Sequence, residues 1–536
     1  MSNSTPKIPE AYKEPVKQYK PNSDERALLE DELKRQMSLV QEIPLVIGGK
    51  EIHTKDRREV VCPHDTRKIL AMCSVAGERE VKMAIEAAME AKRHWENMDW
   101  PERAAIFLKA AELLSRKYSY LLNAATMLGQ SKNAHQAEID STCELCDFYR
   151  FNSKYMEEIY AQQPISEKGV WNRLEYRPLD GFIFALSPFN FTAIAGNLSG
   201  APAVMGNTVV WKPASTAVLS GHYLIQILRE AGLPDGVINF IPGKGSVIGD
   251  IVLNDPNLAG IHFTGSTGVF NKLWQKTAAN LSIYRSYPRL VGETGGKDYI
   301  FAHSSANVDQ LVAAAVKGAY EYQGQKCSAC SRMYVPSSLW DEVTAKIRQT
   351  VQKITLGDVA DFSHFMNALI DEAAFDKVAG YIQRAESSDV AEILIGGGAD
   401  KTKGYFIQPT VIVTTDPHYE SMTQEIFGPV LTLYKYDEKE IDAALELVDK
   451  SSPYALTGAV FATDRQAIHK MTSKLVQSAG NFYINDKPTG SIVGQQPFGG
   501  GRASGTNDKA GSKLNLLRWT SARSIKENFV PPEDLS

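Results

Sequence analysis

Between Asp180 and Ala279 short apolar runs alternate with longer helical ones, and this alternation constrains the fold more than any other feature of the chain. Residues 181–186, 208–212, 236–241 and 259–264 form compact apolar runs of strand length. Between and after them, residues 192–205, 217–231, a stretch beginning near Gly245, and 268–279 carry helical patterns. Strand followed by helix, four times in succession, predicts βαβ units around a parallel sheet. The expected architecture is α/β and doubly wound, Rossmann-like, with ligands beyond the carboxyl ends of the strands.

A second α/β stretch begins at Val291, with helices expected over 308–322, 340–354 and 372–386 and strands over 333–335, 393–395, 410–413 and 430–435. A glycine-rich region, 490–505, follows. Ahead of the first sheet, helices are expected over 22–40, 78–98, 101–117 and 134–160, and Pro101 suits a first helical turn.

Composition narrows the function classes. A chain of 536 residues with 43% hydrophobic and 23% charged side chains has ample apolar material for cores, unlike a disordered chain. A net charge of −5 offers no electrostatic footprint for nucleic acid or an anionic membrane, so neither is expected as a partner. No apolar run approaches the roughly 18 to 20 residues of a spanning helix. The first residues lack an apolar core, have no arginine before Arg26 and carry Glu10 and Glu14, which fits neither a secretory signal nor a transit peptide. A polar arm and a cytoplasmic location are expected, with the mitochondrial matrix as the alternative for a processed chain.

Six cysteines, at 62, 73, 143, 146, 327 and 330, are too few for a disulfide scaffold in so long a chain. The two C-x-x-C pairs leave Cys146 and Cys327 181 positions apart, far from zinc-ribbon spacing, so no metal site is expected.

Several passages suit chemistry, each with a plainer reading beside it. Gly243-Lys-Gly245-Ser-Val-Ile-Gly249 is one residue too long in its last gap for a dinucleotide fingerprint. In Phe263-Thr-Gly265-Ser266-Thr267-Gly268-Val269, small residues link a strand end to a helix start and leave backbone N–H groups for an anion, or simply make a turn. Cys327, in Gly324-Gln-Lys326-Cys327-Ser328-Ala-Cys330, has Lys326 beside it and an expected helix start nearby, two aids to thiolate formation. The alternatives are an inert thiol or a redox pair. Glu293 precedes Gly295 and Gly296, which suits a general base facing a cleft or a turn carboxylate. Asn190, beyond the run 181–186, can donate to an oxyanion or hold a turn.

In order and wording, these passages resemble the aldehyde dehydrogenase superfamily over about residues 45–522. Six motifs stand in register: Ser187-Pro-Phe-Asn190-Phe191, Trp211-Lys212-Pro-Ala, Phe263-Thr-Gly265-Ser266, Glu293-Thr-Gly-Gly-Lys297, Gly324-Gln-Lys-Cys327 and Glu425-Ile-Phe427-Gly-Pro-Val430. Within the superfamily the chain resembles the stand-alone Δ1-pyrroline-5-carboxylate (L-glutamate γ-semialdehyde) dehydrogenases, on residues 324–332, 293–297 and 489–500.

The resemblance implies Cys327 as nucleophile, Asn190 with the Cys327 N–H as oxyanion donors, and Glu293 as base for thioester hydrolysis. It implies NAD held by Ser187, Lys212, Gly265, Ser266, Thr267, Gly268, Val269, Glu425 and Phe427. Ser215 stands where many NAD-preferring relatives have glutamate, which leaves NADP open. Ser328, Gly490 and Ser491 would bind the substrate carboxylate, with Phe191 and Phe498 around its stem. The implied plan is an N-terminal arm (1–40), an NAD-binding domain (41–160 and 180–290), a catalytic domain (291–490), and a β-hairpin flap (161–179 with 513–530) that pairs a homodimer. Residues 514–525 are expected as one flap strand. Two rivals stand beside this: a dehydrogenase of another small aliphatic aldehyde, and an inactive scaffold on the same fold.

Overall fold

The computed structural model describes residues 6–534. Its first sheet has seven strands, in the order Arg289–Glu293, Leu258–Thr264, Phe182–Leu186, Thr208–Lys212, Ile238–Phe240, Leu45–Ile47 and Lys50–Ile52. The first five run parallel and the last two join antiparallel. From Phe182–Leu186 the chain builds outward through Thr208–Lys212 and Ile238–Phe240, then returns to lay Leu258–Thr264 on the other side. The order therefore reverses between Phe182–Leu186 and Leu258–Thr264, whose carboxyl ends flank a crevice of the kind in which doubly wound sheets bind ligands. Helices cover both faces, which is why these strands are apolar on both sides: Phe182, Ile183, Phe184 and Ala185 are all fully buried.

The second sheet runs Ala391–Ile395, Thr410–Thr414, Val430–Tyr436, Cys330–Pro336, Asp298–Ala302, Thr457–Phe461 and Asn481–Ile484, parallel except for its first pair. A smaller sheet joins Gln41–Ile43, Asp65–Ser74 and Arg57–Cys62. Val170–Pro178 pairs antiparallel with Thr520–Asn528 in a two-stranded flap, with Thr520 opposite Pro178 and Asn528 opposite Val170.

Several expectations need correction. The strand Arg289–Glu293 belongs to the first sheet, so a boundary at residue 290 cuts through a strand. Residues 514–517 are not strand: Lys513–Leu517 is a short helix that buries Leu516, and the flap strand begins only at Thr520. The helix Ser119–Gln130 was not anticipated, because ten of its twelve residues are buried and it carries no polar stripe for periodicity to reveal. The polar arm is not free: Ile8 and Tyr19 are buried, and the Tyr19 hydroxyl donates to Glu138 at 2.5 Å.

Ile183 lies at the centre of the first sheet with no exposed surface. Ile183→Ala should lower the free energy of unfolding by about 2 to 5 kcal/mol, read as an earlier transition in a urea titration.

Candidate active site

Cys327 follows an unusual turn. Tyr322, Gln323 and Gly324 all have left-handed backbone, with φ of 52°, 55° and 67°. Such residues cost roughly 1 to 3 kcal/mol each when they are not glycine, so the surroundings must hold them. Here the side chains are anchored in the core. The Tyr322 hydroxyl donates to the Gln130 carbonyl, the Gln323 amide donates to the carbonyls of Ser131 and Ala368, and Gln325 accepts from the Ile370 N–H. The turn delivers Cys327 to the amino end of the strand Cys330–Pro336.

Both expected aids to the Cys327 thiolate fail. The residue precedes a strand, not a helix. The Lys326 ammonium is taken by Asp140 and Glu321, at 3.8 and 3.5 Å. Burial raises the thiol well above its ordinary value, and the carboxylates of Glu293, Asp298 and Glu425 add to the rise. Both effects favour the protonated thiol over the thiolate.

Asn190 lies between the strand Phe182–Leu186 and the helix Thr192–Val204. Its amide donates to the Gln325 carbonyl at 3.1 Å, two residues before the cysteine. The second N–H of that amide has no protein acceptor among the described residues. Glu293 ends the strand Arg289–Glu293, and burial pushes its carboxyl up to about 8.

The segment after Glu293 ties the cysteine to the first sheet. The Gly296 N–H donates to the Glu425 carboxylate at 3.0 Å, and the Gly295 N–H to the Thr267 hydroxyl at 3.3 Å. A Cβ at Gly296 would lie 2.1 Å from the Cys327 carbonyl oxygen, and one at Gly295 2.5 Å from a Glu425 carboxylate oxygen. No side chain fits at Gly296, where the neighbour is backbone, and one at Gly295 would displace the Glu425 carboxylate.

On the crevice side, Ser266 caps the helix Thr267–Ala279 by accepting the Val269 N–H. The N–H groups of Thr267 and Gly268 have no protein acceptor among the described residues, and a helix start of this kind suits a phosphate group. Ser187 accepts from the Trp211 indole N–H at 3.0 Å and keeps its own proton to donate. Lys212 donates to the Pro213 carbonyl, and burial, with Arg58 nearby, holds its ammonium down at about 8. Phe427 has φ of 62° and packs edge-on against Phe189, with ring centroids 5.8 Å apart. Orphaned N–H groups, a lysine and the Glu425 carboxylate along one crevice fit a dinucleotide.

A cavity of about 360 Å³ opens on the other side of the cysteine. Phe191, Glu293, Cys327, Ser328, Gly490, Ser491 and Phe498 all line it. Seven residues from separate stretches of sequence thus share one space. The Ser328 hydroxyl is 2.8 Å from that of Thr489.

A model of the aldehyde dehydrogenase family matches residues 51–525. The chain belongs to the aldehyde dehydrogenase family. It is 52% identical, over 98% of its length and 94% of the relative's, to the mitochondrial delta-1-pyrroline-5-carboxylate dehydrogenase of Dictyostelium discoideum. Identity to the human mitochondrial delta-1-pyrroline-5-carboxylate dehydrogenase is 47%, over 98% of this chain and 93% of that one. The crystal structure of the Mycobacterium tuberculosis delta-pyrroline-5-carboxylate dehydrogenase bound with NAD superposes with a TM-score of 0.96 at 49% identity, covering 100% of this chain and 99% of that one.

In this aldehyde dehydrogenase an ionic cluster that sequence reasoning missed backs the cavity: Asp140, Glu321, Lys326 and Lys487 line it, and Lys132 pairs with one of them. Lys132, fully buried, pairs with Asp140 at 2.5 Å and sits 4.3 and 4.1 Å from the ring centres of Phe191 and Tyr322. Burial holds its ammonium down at about 8 despite Asp140. The Lys487 ammonium donates to the Thr489 carbonyl and lies 3.7 Å from Glu321. Nothing near Lys132 in the sequence separates it from a lysine ending an exposed helix.

The state of the thiol is directly measurable. Iodoacetamide should alkylate Cys327 more slowly at pH 7.5 than it alkylates an unstructured cysteine peptide. At pH 9, where Glu293 is ionised, Glu293→Gln should alkylate several-fold faster than the unaltered enzyme by removing a neighbouring charge. Equal rates by mass spectrometry would dismiss the electrostatic account.

Proposed function

We propose that the chain oxidises L-glutamate γ-semialdehyde, the hydrolysed form of Δ1-pyrroline-5-carboxylate, to L-glutamate with NAD, in proline breakdown. The observation that carries this reading is that one cavity is lined by Cys327 and Glu293, by Ser328, Gly490 and Ser491, and by Phe191 and Phe498. A short aldehyde with an amino-acid end suits that set. The names of the relatives and the NAD-bound neighbour support the same substrate and cofactor.

In the reaction the Cys327 sulfur attacks the aldehyde carbon as the thiolate, its proton having passed to solvent. The Asn190 amide and the Cys327 N–H hold the oxyanion, each such donor contributing about 2.7 to 4 kcal/mol at the transition state. NAD, when bound, accepts the hydride that leaves the tetrahedral carbon as the thioester forms. Glu293 then withdraws a proton from water, which attacks the thioester, releases glutamate and restores the thiol. Ser187, Lys212, residues 265–269, Glu425 and Phe427 hold the cofactor. Ser215 puts no carboxylate three residues beyond Lys212 to repel a 2′-phosphate.

The flap formed by Val170–Pro178 and Thr520–Asn528 exposes Trp171, Phe529 and Val530 at or beside its strands, which suits pairing with a second copy in a homodimer. Among the described residues no helix is long and apolar enough to cross a membrane. The reading fits an enzyme of the cytoplasm or the mitochondrial matrix.

NADH formation at 340 nm tests the chemistry. Cys327→Ala should abolish it, and Asn190→Ala should slow it by about 10² to 10³-fold. Glu293→Gln should give a burst of NADH and then stall. Because Glu293 has its proton up to about pH 8, steady-state hydrolysis should climb as pH rises toward 8 and level above it. In Glu293→Gln that climb should vanish. Ser491→Ala should raise KM for glutamate semialdehyde and leave KM for butanal unchanged; turnover of butanal alone would favour another small aldehyde as substrate.

A further inference from the structure

The loop that bears Ser491 is fastened at both ends. At Thr489 the side chain meets Ser328 and the carbonyl accepts from Lys487. At Val493 the carbonyl accepts from the ammonium of Lys13, at 3.1 Å, across 480 positions of sequence. Between the fastenings lie Gly490, Ser491 and Ile492, and Gly490 and Gly494 both have left-handed backbone, with φ of 86° and 79°. A local turn restrains Ile492, whose N–H donates to the Gln496 side chain and whose carbonyl accepts the Gln495 and Gln496 N–H groups.

Lys13 is itself held. Its ammonium pairs with Asp147 at 2.5 Å, and the same carboxylate accepts the Glu14 N–H at 2.8 Å. Glu14 pairs with Arg150 at 2.7 Å, and both side chains are buried. Asp147 and Arg150 belong to the helix Glu144–Tyr160, whose Phe151 packs against Gly494: a Cβ there would come 2.4 Å from its ring. One helix thus supports both the arm and the loop. Lys13, Glu14 and Val16 line the same cavity as Cys327 and Ser491. They lie outside residues 51–525, so the family-wide model does not describe this wall of the pocket.

We propose that Lys13 is a positioning residue for the substrate's amino-acid end: held by Asp147, it fixes the Val493 carbonyl and thereby the pose of Gly490 and Ser491. The inference rests on the substrate reading above, in which that loop binds the α-carboxylate. It assigns the N-terminal arm a part in specificity. An aldehyde without an amino-acid end does not use the loop and is insensitive to Lys13.

Lys13→Met should raise KM for glutamate semialdehyde about tenfold, the worth of one hydrogen bond from a charged donor, with kcat within about twofold. KM for butanal should not move, and Lys13→Arg should restore most of the loss. A KM that is unchanged for both substrates, or raised equally for both, overturns the proposal. Amide hydrogen exchange over residues 490–494 tests the fastening without any substrate: it should quicken in Lys13→Met, and unchanged exchange also overturns the proposal. If exchange quickens but the unaltered enzyme oxidises only butanal, the substrate reading fails and the role in specificity falls with it. Lys13 is partly exposed, so its loss leaves the core intact; Asp147→Asn, which frees the ammonium from the other side, should shift KM and exchange in the same direction.

Discussion

The close approach of the Gly295–Gly296 backbone to Cys327 on one side and Glu425 on the other is the constraint on which the site depends. Cβ atoms there would lie 2.1 to 2.5 Å from the Cys327 carbonyl and the Glu425 carboxylate. Real Cβ atoms do not come so close. Because these two residues are glycines, the chain leaving the first sheet at Glu293 passes directly into the second at Asp298, with the cysteine turn resting on it. The crevice at the strand reversal and the cavity on the far side of Cys327 are consequently neighbours. A hydride leaving a carbon attached to that sulfur has a short path only in such an arrangement.

Burial does more for the chemistry than any single charge. It raises the Cys327 thiol and the Glu293 carboxyl together, so the resting site carries few unpaired charges in a small apolar-walled space. The lysines that might have ionised the thiol are engaged elsewhere, Lys326 with Asp140 and Glu321 and Lys132 with Asp140. Their ammonium groups brace the cavity wall behind Phe191 instead. Burial of this kind disfavours the thiolate, the form in which a cysteine reacts.

Local structure was legible where the code is local. The strands Thr208–Lys212 and Leu258–Thr264 and the helices that follow them come from runs whose periodicity is complete within about fifteen residues. The site motifs were legible for a related reason: their glycines and polar residues sit at strand ends, where backbone geometry dictates side-chain type. What escaped depends on partners far along the chain. The helix Ser119–Gln130 looks featureless because it is buried on almost every side. Lys326 sits beside Cys327 in sequence, yet its ammonium is drawn toward Asp140, 186 positions earlier. Residues 514–517 alternate plausibly enough for a strand, but burying Leu516 and Trp519 together is better served by a short helical turn.

The same division runs through the enzyme's proposed chemistry. The groups proposed to meet the cofactor lie mostly at the carboxyl ends of strands in the first sheet, with Glu425 and Phe427 ahead of the strand Val430–Tyr436, and they are written in contiguous motifs. Groups that would meet the distal end of the substrate lie on a glycine-bounded loop whose own turn at Ile492 is supplemented by Lys487 beside it and by Ser328 and Lys13 from far along the chain. Such a loop can be retuned by changing its fastenings without disturbing the nucleophile, the oxyanion donors or the crevice. That separation offers a physical account of the selectivity proposed here: the proposed nucleophile is held by core elements, and the distal end of the substrate would meet a loop braced by Lys13 from far along the chain.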